Sequence, residues 1–325
     1  MKETLVWIVG SGGLLGSHMA RALNRHVPRA RVWQFAPRLS WTDPPNLARD
    51  LERAVASFVS AAHNQEYAWA VLWCAGRGTV ASPAAALETE WGAWTRLLEL
   101  LGNHLAERNH DLPGYVFLAS SAGGVYGGNA PQLLTEHTQP LPASAYGTHK
   151  LRMEDALRRW ADAFSHVSCL IGRISTLYGP GQDLRKAQGI ISHLSRCLLY
   201  RHPVSIYVPL DTRRDYLFVD DCANQIAASL TRVIAERPQS LIKIFASERL
   251  TSLAQILGVF FRISKHRSLV APRQASSRQA TTLKFRSEVW CDLKGVRTTD
   301  LAAGIHLLHQ HQLSMFQQGL LPPPT

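Results

Sequence analysis

Short apolar runs alternate with amphipathic stretches through the first two-thirds of the chain, and the alternation itself predicts the architecture. Runs at residues 5–9, 31–35, 69–74, 115–119 and 168–174 read as strands. Between them, residues 17–26, 47–62, 91–107 and 149–164 repeat their apolar positions every three to four residues, the period of a helix with one buried face. Strands and helices alternating at this spacing imply a parallel sheet with helices on both sides. The run Tyr115-Val116-Phe117-Leu118-Ala119 has no polar alternation, as expected of a strand covered on both faces. After Tyr178-Gly179-Pro180-Gly181 the rhythm loosens, until a last helix at 300–312, for which Thr298 and Thr299 are candidate caps, and a proline-rich tail expected to fray. No internal repeat or low-complexity linker interrupts the chain. The expected organisation is a first domain over 1–177 and a smaller, mainly C-terminal lobe over 178–325, partly interleaved with it.

At 325 residues, with 46% hydrophobic and 18% charged positions, the chain is long and apolar enough for a large core. Neither a membrane bundle nor a disordered chain has this composition, and no apolar run reaches the roughly 18 residues of a spanning helix. The N-terminal apolar stretch ends in glycines, without a small-residue cleavage pattern, and reads as a first strand rather than a leader. Five scattered cysteines without zinc-ligand spacing suggest mostly buried free thiols in a reducing, cytoplasmic setting, and no histidine has metal-ligand spacing. The formal charge of +11 is the unusual feature, and arginine supplies 28 of the 35 basic residues. Nine Lys or Arg against two acidic residues fall in 262–297. Forked guanidinium groups suit a phosphorylated ligand; nucleic acid is a competing partner class, which the scarcity of interleaved aromatic residues there argues against.

The chemistry begins at Gly10-Ser11-Gly12-Gly13-Leu14-Leu15-Gly16, between the first strand and the first helix. Glycines in such a junction permit a tight turn, close approach of a pyrophosphate to the backbone, and close helix–strand packing, while the helix start offers unpaired N–H groups. The Gly-x-x-Gly-x-x-Gly spacing, Val125-Tyr126-Gly127 at a strand end, Tyr146-Gly147-Thr148-His149-Lys150, Arg173 followed by Tyr178-Gly179-Pro180-Gly181-Gln182, Arg214-Asp215-Tyr216 with Val219-Asp220-Asp221, and Ala271-Pro272-Arg273 occur in this order over most of the chain. This set resembles the extended short-chain dehydrogenase/reductases, specifically the NAD-dependent epimerase/dehydratase branch that modifies nucleotide sugars.

The resemblance implies a Rossmann-type doubly wound α/β fold with a smaller substrate-binding lobe, and transfer of hydride between NAD or NADP and a secondary alcohol or ketone of a nucleotide-linked sugar. Epimerase and ketoreductase remain equal readings. It assigns Tyr146, Lys150 and Ser121 to catalysis. It assigns Gly10, Ser11, Gly13, Leu14, Leu15, Gly16, Arg38, Asp50, Ala75 and Gly76 to the dinucleotide, together with Tyr146 and Lys150, and it gives Ser121, Tyr146, Thr176, Arg214 and Arg273 to the substrate. Physical chemistry supports the central pair: a tyrosine and a lysine one helical turn apart share a face, and a neighbouring ammonium favours the phenolate of a group that ordinarily titrates at about 10. Homodimerisation through the helices at 91–107 and 149–164 is likewise implied.

Three positions depart from the family pattern. The usual Ser or Thr donor, four residues before the Val-Tyr-Gly tyrosine, is Ala122, so Ser121 is expected to take its place. Thr176 replaces an asparagine. Gln34, Phe35 and Ala36 supply no carboxylate for the adenosine ribose, while Arg38 follows closely, which favours NADP over NAD. Ala122-Gly123-Gly124 holds no carboxyl group to protonate a leaving hydroxyl, which argues against a 4,6-dehydratase. The competing function class is a protein that retains the fold and senses a cofactor, or acts as a scaffold, without catalysis.

Overall fold

In the computed structural model, which describes residues 3–36, 38–107, 112–130, 132–184, 189–206, 208–264, 270–272, 282–296 and 298–324, the expected alternation is present. The first half runs β1 (Thr4–Val9), α1 (Gly16–His26), β2 (Ala30–Trp33), α2 (Pro44–Asn64), β3 (Ala68–Trp73), α3 (Ala84–Glu107), β4 (Gly114–Ser121), α4 (Ala122–Val125), β5 (Leu133–Leu134), α5 (Ala145–Ala161) and β6 (Val167–Ile174). The second half continues with β7 (Thr176–Tyr178), α6 (Ile190–Leu199), β8 (Val204–Ile206), β9 (Arg213–Phe218), α7 (Val219–Glu236), β10 (Ser240–Phe245), β11 (Leu250–Ser252), α8 (Leu253–Ser264), β12 (Val270–Pro272), β13 (Lys284–Phe285) and α9 (Leu301–Gln317).

Six parallel strands form the main sheet in the order β10-β6-β4-β3-β1-β2. One face packs on α2, α3 and α5 through Leu51, Phe58, Trp94, Leu97 and Leu157. The other packs on α1 and α7 through Met19, Leu23, Ile226 and Leu230. This is a doubly wound Rossmann-type sheet. Its strand order reverses between β1 and β3, where open α/β sheets place ligands beyond the carboxyl ends of their strands.

The second lobe has its own core. Ile191, Leu194, Phe218, Ile256, Phe260, Ile305 and Leu308 join α6, α8 and α9 to the small strands. In the three-stranded sheet β11-β9-β7, Thr176 pairs with Tyr216 and Arg214 with Thr251. The strand pattern alternates faces, so Thr176, Tyr216 and Arg214 share one face of that sheet.

Several boundaries move for identifiable reasons. Helix α2 begins at Pro44 because Asp43 caps it, its side chain accepting from Asn46 N. Helix α5 begins at Ala145, with Ser144 accepting from Gly147 N, so Tyr146 and Lys150 both lie on it. The last helix is capped by Asp300 and extends to Gln317, whereas Thr299 bonds the Asp221 carboxylate through its N–H (2.6 Å) and hydroxyl (2.9 Å). The tail does not fray at its start: Leu321 is buried and its carbonyl accepts from Tyr200 OH at 2.5 Å. Asp50, assigned above to the dinucleotide, lies with Leu51 inside α2, and no strand is present between β2 and α2 among the described residues. All five cysteines are free, with Cys169, Cys197 and Cys222 buried, Cys74 partly covered and Cys291 exposed. No helix among the described residues is long and apolar enough to cross a membrane.

Candidate active site

The glycine turn sits at the point where the strand order reverses. Gly10 has φ +87°, and a Cβ there would lie 2.6 Å from Ala75 N, so only glycine fits between the ends of β1 and β3. Gly13 N donates to Gly10 O at 2.9 Å, and a Cβ on Gly16 would lie 2.2 Å from that same carbonyl. Ser11, Gly12 and Gly13 are exposed, Gly12 faces open space, and no side chain caps α1, whose N-cap is Leu15. An uncapped helix start behind exposed, side-chain-free backbone has the donors and the room that a pyrophosphate requires. Leu14 accepts from Ser17 Oγ, and Leu15 is buried. The residues present fit a dinucleotide.

The other candidates collect at the same edge of the sheet. Ala75 and Gly76 follow β3, Ser121 ends β4 in register with Ile174, and Thr176 follows two residues beyond β6. Arg38 is exposed in the loop after β2, and that loop is pinned where Ser40 N donates to Asp50 Oδ2 at 3.0 Å. The Asp50 carboxylate is thereby engaged from within α2.

Tyr146 is held between two glycines. A Cβ on Gly78 would meet its Cδ2 at 3.2 Å, and one on Gly124 would meet its Cε1 at 3.0 Å. Its hydroxyl makes no hydrogen bond to any described residue. Ala122 points into the core, fully buried with Val125 and Leu134. Ser121 caps the one-turn α4, Oγ accepting from Gly124 N at 3.1 Å, and its Cβ lies 3.3 Å from the same point above Gly124 that Tyr146 crowds. Ser121 and Tyr146 therefore flank Gly124 together, whereas the residue at the usual donor position faces inward.

Lys150 is buried one turn from Tyr146, its Nζ 5.7 Å from the Tyr146 ring centre. It donates to Glu90 Oε1 at 2.7 Å, with longer contacts to Ala119 O (3.5 Å) and Met153 Sδ (3.9 Å). Burial pushes the Lys150 ammonium down, but Glu90 and then Tyr146 push it up further, and the net direction is up. Burial likewise raises the Glu90 carboxyl, yet the Lys150 ammonium and the neighbouring His149 outweigh it and hold it at about 2. His149 Nε2 is 3.8 Å from Glu90 Oε1, beyond hydrogen-bond range. Glu90 and His149 are absent from the sequence-based candidates. The legible signal for Glu90 is a carboxylate at a buried position of α3, on the stripe of Leu87, Trp94, Leu97 and Leu101.

On the second lobe, Arg214 is half-buried, and among the described residues its guanidinium bonds only Arg213 O, at 3.0 Å. Burial lowers its pKa. Beside it, Asp215 is buried and accepts from Ser175 Oγ, Ser247 N, Ser247 Oγ and Arg249 N, fixing β9 against the loop after β10. Arg273 lies outside the described residues, as do the other residues of 273–281 and residues 265–269 and 297 of the basic segment. Arg173 and Tyr126, which carry motif resemblance, are core groups: Arg173 pairs with Glu154 (Nη2 to Oε2, 2.7 Å) and donates to Tyr126 OH at 2.5 Å. His18 links the first turn of α1 to the second lobe, with Nδ1 2.6 Å from Asp220 Oδ1 and Nε2 3.2 Å from Pro180 O. No cluster of three metal-ligating side chains occurs among the described residues.

Residues 6–244 match the model of the NAD dependent epimerase/dehydratase family. The chain belongs to that family. Among curated members, it is 33% identical over 123 residues to dTDP-L-rhamnose 4-epimerase of Burkholderia thailandensis, covering 38% of this chain and 30% of that protein. It is 29% identical over 150 residues to dTDP-4-dehydro-6-deoxyglucose reductase of Escherichia coli, covering 46% of each. The chain thus spans less than half the length of these relatives. Among solved structures, UDP-glucose 4-epimerase of Thermotoga maritima with UDP-glucose superposes with a TM-score of 0.74 at 17% identity, over 98% of this chain and 99% of that one. UDP-glucuronic acid 4-epimerase of Bacillus cereus, in complex with UDP-glucuronic acid and NAD, gives 0.73 at 17% identity over 95% and 98%. These likenesses establish the fold of an epimerase/dehydratase family member over nearly the whole chain.

Proposed function

We propose that the protein transfers hydride between a nicotinamide dinucleotide and a secondary alcohol or ketone of a nucleotide-diphosphate sugar. The observation that carries this reading is the position of Tyr146: a hydroxyl without a partner among the described residues, held between Gly78 and Gly124 at the sheet's carboxyl edge, with Ser121 beside it and Lys150 one turn away. When bound, the dinucleotide supplies the hydride acceptor and donor. Tyr146 accepts or returns the proton of the substrate hydroxyl, Ser121 steadies the substrate oxygen, and Lys150 holds the nicotinamide ribose and supports the phenolate.

Exposed backbone at Ser11–Gly13 and the uncapped start of α1 form the pyrophosphate site, with Ala75 and Gly76 facing the cofactor. Asp50 fixes the loop that reaches toward the adenosine. NAD is the cofactor in the family's description, and Arg38 is the residue that speaks for NADP. Thr176 and Arg214, on one face of the small sheet, hold the substrate, with Arg214 directed to the diphosphate; Arg273 is assigned there by resemblance alone. Absence of a carboxyl group in Ala122-Gly123-Gly124 weighs against dehydration. Association into a homodimer through α3 and α5 belongs to the same reading.

The test is turnover of UDP- and dTDP-linked hexoses with NAD or NADP, followed by product stereochemistry and cofactor absorbance. Tyr146→Phe is expected to lower the rate about 10³-fold while leaving dinucleotide binding intact. A wild-type protein that binds neither cofactor nor any nucleotide sugar overturns the proposal. A second reading, a cofactor sensor or scaffold, draws on Ala122 and on the Glu90 carboxylate that offsets Lys150. In that case wild type and Tyr146→Phe bind the dinucleotide equally and neither turns over a sugar.

A further inference from the structure

The hydride-transfer reading gives Glu90 no role, yet Glu90 pairs directly with Lys150 at 2.7 Å. It reaches from α3 into the space under the turn that follows β3. Its Oε1 is bonded to Lys150, whereas its Oε2 is buried with no hydrogen-bond partner among the described residues. Both oxygens lie beneath Gly76, where a Cβ would meet Oε1 at 3.1 Å and Oε2 at 3.3 Å. A glycine at 76 therefore leaves the carboxylate open toward a residue expected to face the cofactor. From α5, Lys150 and His149 face it and the Tyr146 ring lies beyond; β4 contributes the Ala119 carbonyl. The next carboxylate on α5, Glu154, is committed to Arg173 and Ser120. Within this pocket the Lys150 and Glu90 charges cancel.

We propose that Glu90 is a positioning residue that compensates the Lys150 charge, so that the dinucleotide site accepts the oxidised, cationic nicotinamide without the repulsion that would otherwise favour the reduced, neutral ring. The inference rests on reading Tyr146 and Lys150 as the nicotinamide end of the site. An uncompensated buried ammonium repels a second cation nearby, and a buried carboxylate beside it removes that repulsion. A site freed of that repulsion can hold the oxidised cofactor and begin by oxidising an alcohol, the order that epimerisation requires. Glu90 therefore favours the epimerase over the ketoreductase.

The experiment is equilibrium binding of NAD⁺ and NADH, measured by calorimetry on the full chain and requiring no turnover. Glu90→Gln is expected to raise the ratio Kd(NAD⁺)/Kd(NADH) about fivefold, and Glu90→Asp to keep it within about twofold of wild type. Lys150→Met is expected to lower the ratio, and Lys150→Met combined with Glu90→Gln to restore it, since the pocket is again neutral. Should Glu90→Gln fail to fold, the Lys150→Met shift and its reversal in the double variant decide the matter. A ratio that stays within twofold in both single variants overturns the inference while leaving the cofactor reading intact. A wild-type protein that binds neither form overturns both.

Discussion

Two buried pairs of glutamate with lysine or arginine each place one member on α5, Lys150 and Glu154, four residues apart, and they are built differently. Glu154 is closed on every side: Arg173 Nε reaches both its oxygens at 3.2 Å, Arg173 Nη2 bonds Oε2, and Ser120 Oγ bonds Oε1 at 2.5 Å. The remaining guanidinium nitrogen is taken by Tyr126 OH, which itself donates to Thr135 O. Glu90 and Lys150 share one strong bond, and the second carboxylate oxygen is left over. A buried polar group without a partner is costly, so a closed network argues for structure and an open one for a ligand. The same helix thus carries a clamp for the fold and, one turn earlier, the candidate chemistry.

The comparison can be broken from either side. The largest effect is expected at the closed pair. Arg173→Met strands the Glu154 carboxylate in the core and is predicted to cost about 3–5 kcal/mol of stability, measured by denaturant unfolding. A loss below about 1 kcal/mol would show that the network is not a clamp.

Acid separates the pairs next. The Glu90 carboxyl is held at about 2, below its ordinary value of 4.5, so the folded state binds the proton less readily than the unfolded chain. Its stabilising contribution is present above the unfolded value and is lost as pH falls from about 4.5 toward 2. Glu90→Gln should lose roughly 2–3 kcal/mol less than wild type across that window. Parallel acid-unfolding curves for the two proteins would remove Glu90 from the account.

The smallest effect is expected at Arg214, whose half-buried guanidinium has no carboxylate partner among the described residues, unlike that of Arg173. Arg214→Ala should raise KM for a nucleotide sugar about tenfold and change kcat little, because it removes uniform binding rather than a contact made only in the transition state. An unchanged KM would place the diphosphate elsewhere.

Most of the main sheet was legible because its strands are uninterrupted apolar runs and its helices keep a clean period. The glycine turn was equally legible, since backbone contact between Gly10 and Ala75 permits nothing larger. The second lobe was not, because β5, β7, β8, β11, β12 and β13 are two or three residues long and carry no period. At the site, sequence order brought forward Tyr146, Lys150 and Ser121 but passed over Glu90. A family pattern draws attention to motif positions, and Glu90 lies in a helix between motifs. The signal was present all the same: a charged residue interrupting the otherwise apolar stripe of α3. Arg173 shows the reverse error of emphasis, a motif residue whose role is to hold the core. Asp300 displaced the threonines as helix cap because Thr299 was already engaged by Asp221.

The path of the chain has a consequence for how this molecule assembles itself. It leaves the main sheet at Ile174, builds part of the second lobe, and returns at Ser240 to lay a sixth strand against the one it left. Helix α7, formed on that excursion, is also the lid over α1. Neither lobe is a bead on a string. The first 174 residues, with β6 already paired to β4, must wait for the polypeptide that follows before the outer edge of β6 is paired and the apolar flank is covered, so during synthesis the two lobes mature as one unit.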